Sequence, residues 1–478
     1  MFGSASAQTT YNWNVGTGNY TDAANWNPSG TPTSADRVQI SNGGNATLAI
    51  GTGNADKLII ENDSRMNVTG GNLTTTTGIY VGNVSSAGNG TLNLSAGTFS
   101  TASLFLANIS NSTGIVNMGG GNLTITSLLN VGAQGNGQFN FTGGTITAKT
   151  LTIGSVASGN GTLSLSGGSL TTTTGSFTVG SLGNGTVTVS DTGTLKVGSN
   201  GTISIVLAST AGKTGTLNIG TGAAAGSITA LDVTGGNGTA TVNFNHTGAL
   251  SFATPLKGSV IVNKSGAGTT TLSGNNTYTG TTNITAGTML VTGNSASSPF
   301  TVASGGTLGG SGTVGAVTVD AVGTLAPGSS GPGILNAGNL SLAGTLAATI
   351  NGTTVGTQYN QANVTGTVSL VGGNNITLSL GYSPTIGDNV FLINNDGTDP
   401  ITGLLNGYAQ DGVFLLAGHN WMISYVGDFV SNTFTGGNDL VIQAIPEPTV
   451  LWLLFSGGLF LVLAMKIVRR PQSSTSRE

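Results

Sequence analysis

The 478-residue sequence contains no cysteine. That excludes a disulfide framework, a thiolate metal or redox site and a cysteine nucleophile. Charge is nearly as scarce: 12 Lys and Arg against 16 Asp and Glu amount to 6% of the chain, with a formal net charge of −4. Nucleic acid is excluded as a partner, because displacing counterions from phosphates needs clustered cations and none are clustered ahead of the C-terminal tail. The two histidines stand alone among turn formers, in Asn245-His246-Thr247 and Gly418-His419-Asn420, and read as surface residues without a metal partner. Helix signals are nearly absent.

What the chain has in excess is glycine, 81 residues, and with 11 prolines this is a level met in low-complexity chains. A hydrophobic fraction of 37%, regularly placed, argues for a fold instead. A block of the form Gly-Thr-apolar-x-apolar recurs at Gly90, Gly114, Gly137, Gly161, Gly185, Gly215 and Gly238, evenly spaced except for one longer interval between Gly185 and Gly215. Within a unit a second block follows (Gly97-Thr98-Phe99, Gly121-Asn122-Leu123, Gly144-Thr145-Ile146, Gly168-Ser169-Leu170), then a third (Leu104-Phe105-Leu106, Leu151-Thr152-Ile153, Phe177-Thr178-Val179). Thr91-Leu92-Asn93-Leu94 and Thr162-Leu163-Ser164-Leu165 alternate with period two, which puts aliphatic groups on one strand face and Thr, Asn or Ser on the other.

Three such strands joined at Gly and Asn corners close into one coil of a parallel β-helix. The expected fold is therefore all-β: a right-handed parallel β-solenoid of a dozen or more coils, with a terminal β-rich cap and one C-terminal transmembrane helix. The competing reading is a disordered or cross-β glycine-rich chain, which circular dichroism separates by a cooperative melt.

The organisation follows from composition. Residues 1–8, with Ala5-Ser6-Ala7 before Gln8, read as a truncated signal-peptide remnant. Residues 9–60, with Trp13 and Trp26, form an N-terminal cap and first rungs, and 61–257 carry the repeats of about 24 residues. Residues 258–380 form a second repeat region, and 381–444, rich in aromatics and aspartate, a terminal β-rich module.

Val262-Asn263-Lys264-Ser265-Gly266-Ala267-Gly268-Thr269-Thr270-Thr271-Leu272-Ser273-Gly274, running into Tyr278-Thr279-Gly280 and Ile284-Thr285-Ala286-Gly287-Thr288-Met289-Leu290, is similar to the autotransporter-associated β-strand repeat. The likeness continues through Gly306–Thr313 and Leu325–Ser329 and implies a secreted β-helical passenger. True autotransporters end in strands able to build an outer-membrane barrel, and this chain does not, so self-translocation is not expected.

It ends instead in Pro446-Glu447-Pro448, an apolar stretch and the cations Lys466, Arg469 and Arg470, and this tail (445–470) resembles a PEP-CTERM sorting domain. A helix over 449–468 is long enough for a bilayer core of about 30 Å. The basic stop and 471–478 then stay cytoplasmic, leaving the solenoid outside. The resemblance implies an exosortase-type processing enzyme as partner, recognising Pro446-Glu447-Pro448, and a host that makes exopolysaccharide. The expected location is the cell envelope, as a single-pass precursor, then the cell surface or exterior after sorting.

Parallel β-helices include polysaccharide lyases and hydrolases, so catalysis has to be weighed. Glycoside hydrolysis needs two neighbouring carboxylates. Between Ser64 and Gly387 there are only Asp191, Asp232 and Asp320, with five lysines spread singly. The separation of Asp191 and Asp232 exceeds one coil and falls short of two, so the repeat does not stack them. Glu61 and Asp63 could share an outer face by alternation, although a solvated edge explains them as well. In the terminal module Asn394-Asn395-Asp396-Gly397-Thr398-Asp399 and Gly436-Gly437-Asn438-Asp439 hold residue types that serve calcium loops and plain turns alike.

The sequence thus assigns no catalytic, cofactor or metal residues and needs no cofactor. It reads as a non-enzymatic structural or adhesive surface protein, with exopolysaccharide or neighbouring surface proteins as candidate partners. A carbohydrate-active β-helix acting on exopolysaccharide is the alternative, and a passive extension rod is a third.

Overall fold

Alternation in sequence becomes stacking in space. In the strand Gly90–Leu94, Leu92 and Leu94 point inward and are buried, while Thr91 and Asn93 face outward. The next coils place Val116 and Met118, Phe139 and Phe141, Leu163 and Leu165, Val187 and Val189, Leu217 and Ile219, then Val242 and Phe244 on the same two inward positions. Each column is dry, and each coil buries its apolar face only against its neighbours, so no coil is stable alone.

A computed structural model describes residues 8–83 and 88–447. Across them the chain winds as a right-handed parallel β-solenoid. One sheet of 16 parallel strands runs from Thr17–Asn19 to Val368–Leu370. At about 4.8 Å per strand this is a rod of roughly 70 Å. A 15-stranded sheet completes the coils as far as Leu256–Gly258. Beyond it a seven-stranded sheet starting at Ala249–Phe252 and an eight-stranded sheet starting at Asn294–Ser295 share that task.

Two details differ from the sequence reading. From Thr52–Ile60 to Thr145–Ile153 the second and third blocks run together as one strand of 9 or 10 residues with a register shift inside it. They separate into Ser169–Thr172 and Phe177–Val179 where Thr174-Gly175-Ser176 interrupts the run. At the shift buried hydroxyls are satisfied, Thr75 Oγ1 donating to Thr101 Oγ1 (2.7 Å) and Thr101 Oγ1 to the Ser103 carbonyl (2.8 Å). The second difference is the seventh glycine. Gly215 pairs with Ala240, not Gly238, so the motif slides along the strand while the inward Leu217 still stacks on Val242.

Both ends are closed. At the N-terminus Trp26–Asn27 pairs antiparallel with Thr10–Trp13 and covers the first edge. Trp26 meets Trp13 and Tyr20 edge-to-face with centroids 4.9 and 5.1 Å away, and its Nε1 donates to the Tyr20 carbonyl (2.7 Å). At the other end Asn389–Asn395, Asp439–Ala444, His419–Gly427 and Val413–Leu416 form an antiparallel cap. Phe414 and Leu416 pack with Leu378, Leu380 and Tyr408 against the end of the core.

Among the described residues the one helical segment is the short turn Ala23–Asn25, and no helix is long and apolar enough to cross a membrane. The expected span over 449–468, the cytoplasmic 471–478 and residues 1–7 of the signal-peptide remnant lie outside the described residues.

Candidate interaction surface

The outward positions of the long sheet carry an amide ladder. Asn93 Nδ2 donates to Asn67 Oδ1 at 2.7 Å, Asn117 to Asn93 at 2.9 Å and Asn140 to Asn117 at 2.8 Å. Ser164 and Thr188 interrupt it. It resumes as Asn218 donates to Thr188 Oγ1 (3.1 Å), Asn243 to Asn218 (2.8 Å), Asn263 to Asn243 (2.9 Å) and Asn283 to Asn263 (3.0 Å). A shorter ladder links Asn336, Asn363 and Asn394.

Parallel in-register strands place identical amides one strand spacing apart, which suits a head-to-tail chain of hydrogen bonds. Each amide spends one N–H and one lone pair on its neighbours and keeps the others for solvent or a ligand. The result is an uncharged strip that both donates and accepts. Replacing Asn117 by Ala removes two ladder bonds and should lower stability by about 1–2 kcal/mol, read as a lower urea midpoint. An unchanged midpoint would mean that the ladder does not hold the coils together.

The carboxylates of the solenoid are kept apart. Asp232 pairs with Lys257 at 2.7 Å. Burial pushes the Asp232 carboxyl up, but hydrogen bonds from Lys257, Ser204 and Thr234 outweigh it and hold it below the usual carboxylate range. Asp191 sits at a left-handed turn (φ 53°) with Ser190 Oγ donating to it at 2.9 Å, and Asp320 is exposed on a turn of its own.

Glu61 and Asp63 do not share a face. Asn62 and Asp63 both take left-handed φ, turning the chain so that Glu61 is buried against Gln39 Nε2 (2.6 Å) and Asp63 is exposed beside Asn89 Nδ2 (3.1 Å). Asp56 faces outward as well. Hydrogen bonds from Thr76 and Thr77, both 2.6 Å, hold its carboxyl below the usual range. Among the described residues no three Asp, Glu, His or Cys side chains converge as metal ligands.

His246 overturns the surface reading. It is fully buried, with Nε2 2.7 Å from Thr270 Oγ1 and Nδ1 3.1 Å from the Thr247 carbonyl. Close by, Lys264 is also fully buried, and its Nζ donates to the carbonyls of Gly266 and Ala286. Burial pushes both below their ordinary values, and the Lys264 charge lowers His246 further. Sequence reasoning missed Lys264, yet a signal was present: Val262 and Lys264 occupy the two inward positions that Val242 and Phe244 hold one coil earlier. His419, by contrast, is half-buried at the start of a cap strand.

The expected sorting motif begins on the cap. Glu447 accepts from the Asn420 backbone N–H (3.1 Å) and Nδ2 (3.0 Å), and the Ile445 N–H donates to the Asn420 carbonyl (3.0 Å). Pro446 and Glu447 are exposed there, while Pro448, Lys466, Arg469 and Arg470 lie outside the described residues.

Known proteins resemble parts of this chain. The chain is 40% identical over 111 residues to the adhesin BmaC autotransporter of Brucella suis biovar 1 (strain 1330). That stretch is 22% of this chain and only 3% of the relative. The crystal structure of the Haemophilus influenzae Hap adhesin aligns with 85% of this chain and 59% of its own at 11% identity, and its TM-score of 0.22 is too low to say anything of a shared fold or function. Residues 262–291 match the Passenger-associated-transport-repeat family, so the solenoid carries an autotransporter-associated repeat inside the stretch where the sequence placed one.

Proposed function

We propose that the chain is a non-enzymatic structural and adhesive protein of the cell surface or extracellular matrix, exported and sorted through the tail that begins at Pro446. The observation that carries this reading is the amide ladder: a rigid rod presents a long, uncharged, hydrogen-bonding strip, while its carboxylates are held singly. Hydroxyl-rich polymers such as exopolysaccharide offer complementary donors and acceptors along their length. The match to an adhesin points the same way. In this reading an exosortase-type enzyme acts at Pro446-Glu447-Pro448, the apolar segment over 449–468 anchors the precursor, and Lys466, Arg469 and Arg470 hold its end in the cytoplasm.

Beads coated with the purified chain, passed over the host's exopolysaccharide, test the adhesive part. Saturable retention that changes little with added salt is expected, because contacts along an uncharged strip are not screened. No retention, or shortening of the polysaccharide chains, contradicts it.

A further inference from the structure

The wall built from Ser169–Thr172, Thr194–Lys196 and Ser227–Thr229 is interrupted. Among the described residues Ser227–Thr229 pairs back onto Thr194–Lys196 but with no strand ahead, and Ala249–Phe252 pairs forward onto Thr269–Leu272 but with none behind. Hydrogen bonds close the break at its two ends, from the Thr247 N–H to the Ala223 carbonyl (2.7 Å) and from the Val233 N–H to the Pro255 carbonyl (2.8 Å). Between them lies a cleft of about 340 Å³ lined by Asp191, Ser227, Ile228, Leu250, Ser251 and Phe252. The inward column shows the loss: Leu170 and Leu195 are fully buried, but Ile228 and Leu250 on either side of the cleft are half-buried.

The packing changes at the same place. A step along the amide ladder falls from 25 residues, Asn218 to Asn243, to 20, Asn243 to Asn263. Inward positions that are apolar one coil earlier turn polar: Lys264 follows Phe244, Thr270 follows Leu250 and Thr282 follows Val262, all three fully buried. With His246 they bond among themselves and toward the C-terminus. His246 reaches Thr270, Lys264 reaches the carbonyls of Gly266 and Ala286, and Thr282 Oγ1 lies 2.6 Å from Tyr278 Oη and 2.9 Å from Ser298 Oγ. These side-chain bonds tie the coils after the cleft to one another, not to the coils before it.

A repeat rod unfolds as one unit only where each interface between coils couples its neighbours strongly. An interface that loses one of its ladders and part of its apolar column couples them weakly, and the rod then opens in parts. We propose that the break between Ser227–Thr229 and Ala249–Phe252 is a joint dividing the solenoid into two cooperative units, 8–244 and 245–447, either of which opens while the other stays folded. Two ladders still cross it, Thr239–Phe244 onto Ile261–Lys264 and Val233–Gly235 onto Leu256–Gly258, so the native rod is continuous. The sheet that carries the second of these ends with that strand. This joint stands independently of the adhesive reading.

Urea titration of the whole chain, with pulsed hydrogen exchange read peptide by peptide in a mass spectrometer, tests the joint. Leu163→Ala empties a fully buried position of the first unit and should lower the midpoint of peptides from 90–219 by about 1 M, leaving those from 300–444 unmoved. Leu342→Ala, equally buried in the second unit, should do the reverse. Lys264→Met should raise the midpoint of the second set alone. Equal shifts of both sets in either alanine variant, or a Lys264→Met effect spread over both, would overturn the proposal and make the rod a single cooperative unit.

Discussion

Gly161→Ala is expected to destabilise the chain by about 3 kcal/mol, far more than one methyl group normally does at an unstrained site. Its φ is not left-handed, so backbone strain is not the reason. A Cβ there would overlap the Val131 carbonyl oxygen of the preceding coil and lie 2.6 Å from Ile153 Cγ2 and 2.8 Å from Gly154 N. Backbone held in two sheets cannot move aside cheaply.

The same close approach recurs at Gly90, Gly114, Gly137, Gly185 and Gly215, where added Cβ atoms meet backbone of an earlier corner. This is why the repeat begins with glycine. The coil that carries alanine instead, at Ala240, faces Gly235, and the space has moved to the other partner: a Cβ on Gly235 would sit 3.1 Å from that of Ala240. Gly119→Ala is the control, since its nearest neighbour outside the adjoining residues is Thr142 Oγ1 at 3.8 Å, and it should change stability by no more than about 0.5 kcal/mol. Urea titrations of the two variants check the pair. Equal midpoints would mean that the coils do not pack in this register.

The second large effect concerns the buried bases. Lys264→Met should stabilise the chain by about 1–4 kcal/mol at neutral pH, because a buried ammonium whose hydrogen bonds run to the carbonyls of Gly266 and Ala286 is replaced by an apolar chain of similar length. The wild-type chain should also weaken in mild acid. His246 is held below its ordinary pKa in the fold, so the unfolded chain binds a proton that the native one refuses. Its contribution is complete above the unfolded value of about 6.5 and is lost as pH falls through that value toward the lower folded one.

Lys264 has the same sign in a different window: its penalty is present at neutral pH and disappears as pH rises past the unfolded value of about 10.4. Asp56 and Asp232, both lowered, lose their contributions only further into acid, as pH falls through the ordinary carboxylate range. Urea midpoints at pH 7 and pH 5 should therefore differ in the wild-type chain and differ less in Lys264→Met. A wild-type midpoint that is the same at pH 7 and pH 5 would mean that His246 is not held neutral in the core, and equal differences in the two chains would mean that the Lys264 charge does not act on it.

The solenoid was legible because its rule is local and repeated: period-two alternation in Thr91–Leu94 and its copies fixes which side chains stack. The register was legible only while the coil length held. Where it changed, Gly238 kept the motif's letters while Ala240 took its place in the ladder. The fusion of second and third blocks was not visible, since Thr98 to Leu106 runs as one strand only through a register shift between Ser100 and Ser103 that alternation alone does not mark.

His246 was misplaced because its turn-forming neighbours describe the backbone and not the depth of the side chain. Lys264 was readable from the inward register of Val262, but residue type outweighed position.

The most direct test of the account is to fractionate the native host, shave intact cells with protease, and search each fraction by mass spectrometry for peptides beyond Pro448. Solenoid peptides released from intact cells or found in the medium, without any peptide beyond Pro448, are the predicted result. A chain confined to the cytoplasm would contradict the surface reading, and an intact tail on surface material would contradict processing at Pro446-Glu447-Pro448.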